Sequence, residues 1–196
     1  MNSTARDHAQ SAETVQTVTA RNVVPKDNSF WVLYGQHDKP TFLEDAGNGQ
    51  KLQRDAALEH VKNWRVCLDI GSNIGQWTRP LAQKFRSVIC FEPNPNFREC
   101  FDMNIREDNV ILWPYGLSDR SHNAKQDFNS TMLQEGDGPI ECKTLDSFQL
   151  RNVDFIKIDL DGFERKNIAL ECVSILKQNG YKFKMRTKSD EIWIKS

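Results

Sequence analysis

The chain has 196 residues, 38% of them hydrophobic and 27% charged, with a formal net charge of -1. That length supports one domain with its own core, and it is short for two. The charge balance lacks the basic excess used against phosphate, so it disfavours nucleic acid as a partner and suits a small or neutral one. No stretch approaches the ~20 apolar residues of a membrane span. Residues 1–16 carry no apolar secretory core, and the expectation is a cytoplasmic protein without membrane contact.

Residues 1–28 are polar and rich in Ser, Thr, Ala, Gln and Asn, which predicts a flexible N-terminal segment ahead of a single domain over 29–196. Phe30–Tyr34 and Thr41–Leu43 read as strands around the turn-prone His37-Asp-Lys-Pro40, an N-terminal hairpin able to cover a cofactor edge. Gln50–Val61 carries Leu52, Ala56, Ala57, Leu58 and Val61 at mostly helical spacing. Arg65–Ile70 follows as a strand, and Ile74–Phe85 as a helix with Trp77, Leu81, Ala82 and Phe85 on one stripe. Ser87–Phe91 reads as a strand, Asn96–Ile105 as a helix, and Val110–Trp113 and Val153–Ile158 as two further strands. A strand at Ile168–Cys172 would need a parallel crossover in fewer residues than the dozen or so such connections require, so Ile168–Leu176 reads as a helix that stops near Gly180. Tyr181–Arg186 and Glu191–Ile194 then form an antiparallel hairpin about Lys188-Ser-Asp190. Strands separated by helical crossovers predict an α/β, Rossmann-like fold, with a mostly parallel twisted sheet and helices on both faces.

Five separated cysteines (Cys67, Cys90, Cys100, Cys142 and Cys172) read as reduced thiols, and the four histidines show no metal-ligand spacing. No metal site is assigned on these residues.

In an open α/β sheet, ligands bind beyond the carboxyl ends of the strands, and the loop after the first core strand is the usual cradle. Here that loop is Asp69-Ile-Gly71-Ser72-Asn73-Ile-Gly75. Gly71 permits a tight turn and Gly75 a close approach of the following helix. A carboxylate at Asp69 repels a pyrophosphate and suits the ammonium of a methionine moiety. The Gly-xxx-Gly spacing also departs from the dinucleotide pattern, which disfavours a nicotinamide oxidoreductase. Glu92 ends the next strand, where it can accept hydrogen bonds from ribose hydroxyls, and Pro93 follows it. Alternatively, Asp69 caps the following helix and Glu92 is a solvated strand end. In Val153–Glu164, period-2 alternation puts Lys157 and Asp159 on one face, running into Asp161, Gly162 and Glu164. Ionisable groups gathered at one strand end are costly unless paired or used, so a salt-bridge network and an active site both remain open there.

These segments resemble the FkbM family of S-adenosylmethionine-dependent methyltransferases. The similarity lies in Asp69–Gly75 followed by Gln76-Trp-Thr78, in Phe91-Glu-Pro93, in Leu145-Asp-Ser-Phe148 and in Phe155–Glu164. The resemblance implies that Asp69, Gly71, Asn73 and Gly75, with Ser72 and Thr78 beside them, surround the methionine end of S-adenosyl-L-methionine. It further implies that Glu92 with Pro93 holds the ribose, and that Gly116, Leu117 and Ser118 lie near the adenine. Family members mostly methylate hydroxyl oxygens, often on sugars or secondary metabolites. The chain departs from the pattern at Asp161, where the family usually has Glu, and it lacks the usual fifth strand after Glu164, as a compact viral or phage-type variant would. Methyl transfer needs alignment and a base, and Asp159 is the expected base, with Lys157 keeping it ionised and Glu164 binding the acceptor. The shortened C-terminal region keeps a second class open, a non-catalytic S-adenosylmethionine-binding or interaction module. Neither the acceptor nor the oligomeric state is written in the sequence.

Overall fold

Parallel strands covered on both faces are written as unbroken apolar runs, and Val66–Ile70 and Ser87–Phe91 have that form, each buried over its last four residues. In a computed structural model the described residues are 20–23, 30–33, 50–126, 133–159, 174, 177–187 and 190–195. In chain order the strands are β1 (Ala20–Val23), β2 (Phe30–Leu33), β3 (Val66–Ile70), β4 (Ser87–Phe91), β5 (Val110–Trp113), β6 (Gly116–Leu117), β7 (His122–Gln126), β8 (Leu133–Glu135), β9 (Ile140–Lys143), β10 (Val153–Ile158), β11 (Tyr181–Thr187) and β12 (Asp190–Lys195). The helices are α1 (Lys51–Leu58), α2 (Thr78–Ala82) and α3 (Pro95–Asn104), and Leu145–Phe148 forms a 3-10 turn.

The central sheet is four-stranded in the order β10-β3-β4-β5, and its neighbours pair in parallel. The fold is therefore α/β around a parallel sheet, with an antiparallel C-terminal hairpin made by β11 and β12. Period-2 alternation sorts the central residues between two cores. Cys67, Val88 and Cys90 face Leu58, Leu81, Phe85, Phe101 and Ile105 of the helical side. Leu68, Ile70, Ile89 and Phe91 face the other way, onto Trp113, Tyr115 and Phe148. There Trp113 stacks on Phe148 with ring centroids 4.6 Å apart. Among the described residues α1, α2 and α3 pack into the first core or its margin, and the second core is lined by the 3-10 turn and aromatic side chains.

Two other differences have local causes. Ile74–Phe85 shortens to α2, because Asn73 and Gly75 both have positive φ (51° and 92°), a conformation that precludes a helix through the loop. A Cβ on Gly75 would lie 2.8 Å from Ile105 Cδ1, so this glycine serves the packing of the loop against α3. The second difference is at the N-terminus, where β2 pairs with β1, inside the segment expected to be flexible; Thr41–Leu43, its expected partner, lies outside the described residues. Phe30 and Val32 pack with Ile74, Phe97 and Cys100. The Asn104 amide ties the strand down by donating to the carbonyls of Trp31 at 2.9 Å and Ile74 at 2.8 Å. Asn94 caps α3 by accepting the Asn96 N–H at 2.9 Å, with Pro95 in the first turn. The helix expected over Ile168–Leu176 falls largely outside the described residues.

Between β5 and β10 lies a second four-stranded sheet, in the order β6-β9-β7-β8, which the sequence pattern did not announce. Among the described residues no helix is long and apolar enough to cross a membrane.

Candidate functional site

Lys157 of β10 and Asp69 of β3 are register partners on adjacent parallel strands. Their side chains meet on the helical face, with Lys157 Nζ 3.1 Å from Asp69 Oδ1. The angle there does not make a hydrogen bond, since Asp69 Oδ1 has no such partner, so this contact is electrostatic. The Thr78 hydroxyl donates to Asp69 Oδ2 at 2.7 Å, and Lys157 donates to the Gly71 carbonyl at 2.8 Å. Asp69 is fully buried, Thr78 is equally so, and Lys157 is 9% exposed. These contacts join two strand ends to the loop between Gly71 and Gly75. The ammonium facing Asp69 is the chain's own.

Glu92, one strand over, is held differently. Its Oε2 accepts the Asn73 N–H at 2.9 Å and its Oε1 the Asn94 N–H at 2.8 Å. Burial pushes the Glu92 carboxyl up to about 7, against the opposing pull of the Asn94 and Asn73 amides and, further off, of Lys157 and Arg98. Its oxygens are oriented by backbone amides, which leaves lone pairs for a ligand's donors.

Glu92 lies in a cleft of about 630 Å³, a volume that includes space open to solvent. The sheet order β10-β3-β4-β5 sets the sequence of its wall across the carboxyl edge. Asp159 follows β10, Gly71 and Asn73 follow β3, Glu92 and Pro93 follow β4, and Tyr115 follows β5. Beyond Tyr115 the second sheet supplies Gly116, Leu117, Gln126 and Leu133. The wall is thus polar at the β10–β3 end and largely apolar at the other, apart from Gln126. Asn73 Oδ1 and Gln126 Oε1 are buried and meet no hydrogen-bond donor.

Of the residues marked in the sequence, Gly71, Asn73, Glu92, Pro93, Gly116, Leu117 and Asp159 come together around this cleft. Asp69, Thr78 and Lys157 stand behind it as the buried set described above, and Gly75 is spent on Ile105. Ser72 is 3% exposed, with its hydroxyl unpartnered. Ser118 turns to Asp119, donating at 3.1 Å, while its N–H bonds Lys143. Asp159 is within 3.9 Å of Lys157 Nζ, its side chain 40% exposed. Glu164 and Asp161 lie outside the described residues. Phe97, Tyr115, Gln126 and Leu133 were missed. The first two are aromatic residues near marked motifs, whereas His122–Gln126 has a single apolar residue, Ala124, and gave no strand signal. Among the described residues no group of three or more His, Cys, Asp or Glu is placed to hold a metal ion.

The parallel sheet with a cleft at its carboxyl edge defines an α/β domain of the class whose ligands bind beyond the strand ends. The chain belongs to the FkbM methyltransferase family: the Methyltransferase FkbM domain matches residues 69–182, more than half of its length. No curated protein matches it. Among solved structures it is similar to the precorrin-6y C5,15-methyltransferase of Geobacter metallireducens, at 13% identity over 71% of this chain and 81% of that one, with a TM-score of 0.42. It is also similar to the precorrin 8w decarboxylase of Methanobacterium thermoautotrophicum, at 15% identity over 74% and 85%, TM-score 0.40. A third likeness, to a protein of Anaeromyxobacter dehalogenans provisionally named a type II methyltransferase, has 20% identity and a TM-score of 0.27. It covers 33% of this chain, which spans only 26% of that protein.

Proposed function

We propose that the protein is a class I, Rossmann-like methyltransferase that uses S-adenosyl-L-methionine to methylate a hydroxyl oxygen on a sugar or small metabolite. The observation that carries this is Glu92, a buried carboxylate oriented by two backbone amides in a cleft one strand from the glycine loop. Two hydroxyls of a ribose are the kind of donors such a group accepts. The Asn73 Oδ1 atom, buried and without a donor, fits a ligand that brings its own N–H or O–H groups. Family membership supports the same cofactor. Bound there, S-adenosyl-L-methionine would supply an electrophilic methyl group.

The chain's own residues then have three tasks. Glu92, Pro93 and Asn73 orient the cofactor, with Gly71 allowing backbone approach and Gly116 and Leu117 bordering its base. Asp69, Thr78 and Lys157 fix the loop and act through it as positioning residues. Asp159, partly exposed at the polar end with Lys157 Nζ 3.9 Å away, accepts the proton of the acceptor hydroxyl as its oxygen takes the methyl group. Glu164 is proposed to bind the acceptor. An in-line displacement gains most from such alignment.

Asp159→Asn tests the catalytic part of this. With S-adenosylmethionine and a panel of hydroxylated acceptors, methyl transfer should fall by roughly 10²–10⁴-fold, the usual contribution of general-base catalysis, while calorimetry should show S-adenosylhomocysteine bound within a few-fold of the parent protein. Full turnover in the variant removes Asp159 from the role. Cofactor binding by the parent protein with no turnover on any acceptor would favour the non-catalytic module.

A further inference from the structure

The inserted sheet is the part of the cleft wall with no assigned role, and one of its residues is chemically out of place. The wall it forms with its neighbours is apolar, from Phe91, Phe97, Tyr115, Leu117 and Leu133, and Gln126 at the end of β7 is its polar exception. Gln126 Oε1 is buried and receives no hydrogen bond. An amide oxygen left without a donor in such a place costs roughly 1–3 kcal/mol, so its presence requires an explanation.

The cleft lining supplies one. Glu92 ends β4 and Tyr115 follows β5, and the inserted sheet lends Gly116, Leu117, Gln126 and Leu133 to the same cleft. A ligand whose sugar is held at Glu92 therefore extends its base either toward Asp159 or toward the inserted sheet. The polar end offers charged groups, whereas the inserted sheet offers flat apolar surfaces on which a heteroaromatic ring stacks. A few polar groups in an otherwise apolar wall fix a ligand's orientation.

From this we propose that Gln126 reads the base of the bound cofactor, with its Oε1 accepting a hydrogen bond from the exocyclic amine of adenine. This rests on the cofactor assignment under Proposed function and adds to it a specificity-determining residue from the inserted sheet. The amine donates one proton to Gln126 Oε1 and nothing is transferred. A base without that amine leaves the oxygen as unsatisfied as it is without ligand, so the contact discriminates by the loss of one buried hydrogen bond.

The test compares two ligands on the full chain by calorimetry: S-adenosylhomocysteine, and its analogue with unsubstituted purine in place of adenine. The parent protein should bind the adenine compound about 5–100-fold more tightly, the span corresponding to one buried hydrogen bond left unmade. Gln126→Met, close in volume but without the acceptor, should bind both compounds about equally. Gln126→Glu, which keeps an acceptor oxygen, should retain the preference. Melting curves on each variant identify a misfolded one, in which case the parent's preference and the Glu variant decide. Equal binding of the two compounds by the parent protein, or a preference that persists in Gln126→Met, overturns the role of Gln126 and leaves the cofactor assignment standing. Failure of the parent protein to bind either compound removes the cofactor assignment and this one with it.

Discussion

Asp69 and Glu92 end consecutive strands of one sheet, are both buried, and have different partners. Asp69 lies opposite Lys157 in the β3–β10 register and takes the Thr78 hydroxyl as well, so its charge is balanced inside the protein. Glu92 has backbone amides at both oxygens, and burial pushes its carboxyl up to about 7. A buried carboxylate with its own cation maintains structure. One oriented but poorly compensated, and lining a cleft, is poised for an external donor. On the proposed function the contrast separates stability from binding between two residues that look alike in the sequence.

The largest effect is expected from Asp69→Asn. Removing this charge strands Lys157 in the interior, and breaking a buried pair from one side typically costs about 3–5 kcal/mol. Chemical denaturation should show the loss in the absence of any ligand. A variant as stable as the parent would erase the distinction. Next comes Glu92→Gln, which should weaken S-adenosylhomocysteine binding by roughly 10–100-fold, as the loss of hydrogen bonds to a charged acceptor implies. Calorimetry against a denaturation curve should show more loss in binding than in stability, the reverse of Asp69→Asn.

The pH dependence of the parent protein follows, with a sign fixed by the direction of the Glu92 shift. Its folded carboxyl titrates at about 7, above the ordinary 4.5, so the folded state holds the proton more tightly than the unfolded one. The stability this provides is fully present below the ordinary value and is lost as pH rises through about 7. Ligand hydroxyls donate to the ionised form, so binding runs the other way. Affinity should fall as pH drops through about 7, by at most about tenfold per pH unit. Both trends should vanish in Glu92→Gln.

The strands β4, β5 and β10 were legible residue for residue, because runs such as Ser-Val-Ile-Cys-Phe admit few alternatives once glycines and helical stripes flank them. The C-terminal hairpin was legible within a residue or two for the same reason. Asp69 was legible as a buried strand-end carboxylate. Its partner was not, because alternation puts Lys157 on a face with Asp159 but does not say which residue stands level with it on the next strand. Only the register between β3 and β10, which depends on residues some ninety positions apart, could join them. The inserted sheet was not legible at all. His122-Asn-Ala-Lys-Gln126 has one apolar residue and Gly116–Leu117 is a strand of two, so their pairing is tertiary and left no periodic signal. Gln126 was missed with it.

On the proposed function Glu92, and not Asp69, meets the cofactor. Calorimetric titration of S-adenosylhomocysteine into the parent chain and into Glu92→Gln, below and above neutrality, tests it most directly. The expected result is saturable binding by the parent that tightens as pH rises through about 7, with affinity and pH dependence both lost in the variant. Equal binding by the two proteins at each pH, or no binding by the parent, would contradict it.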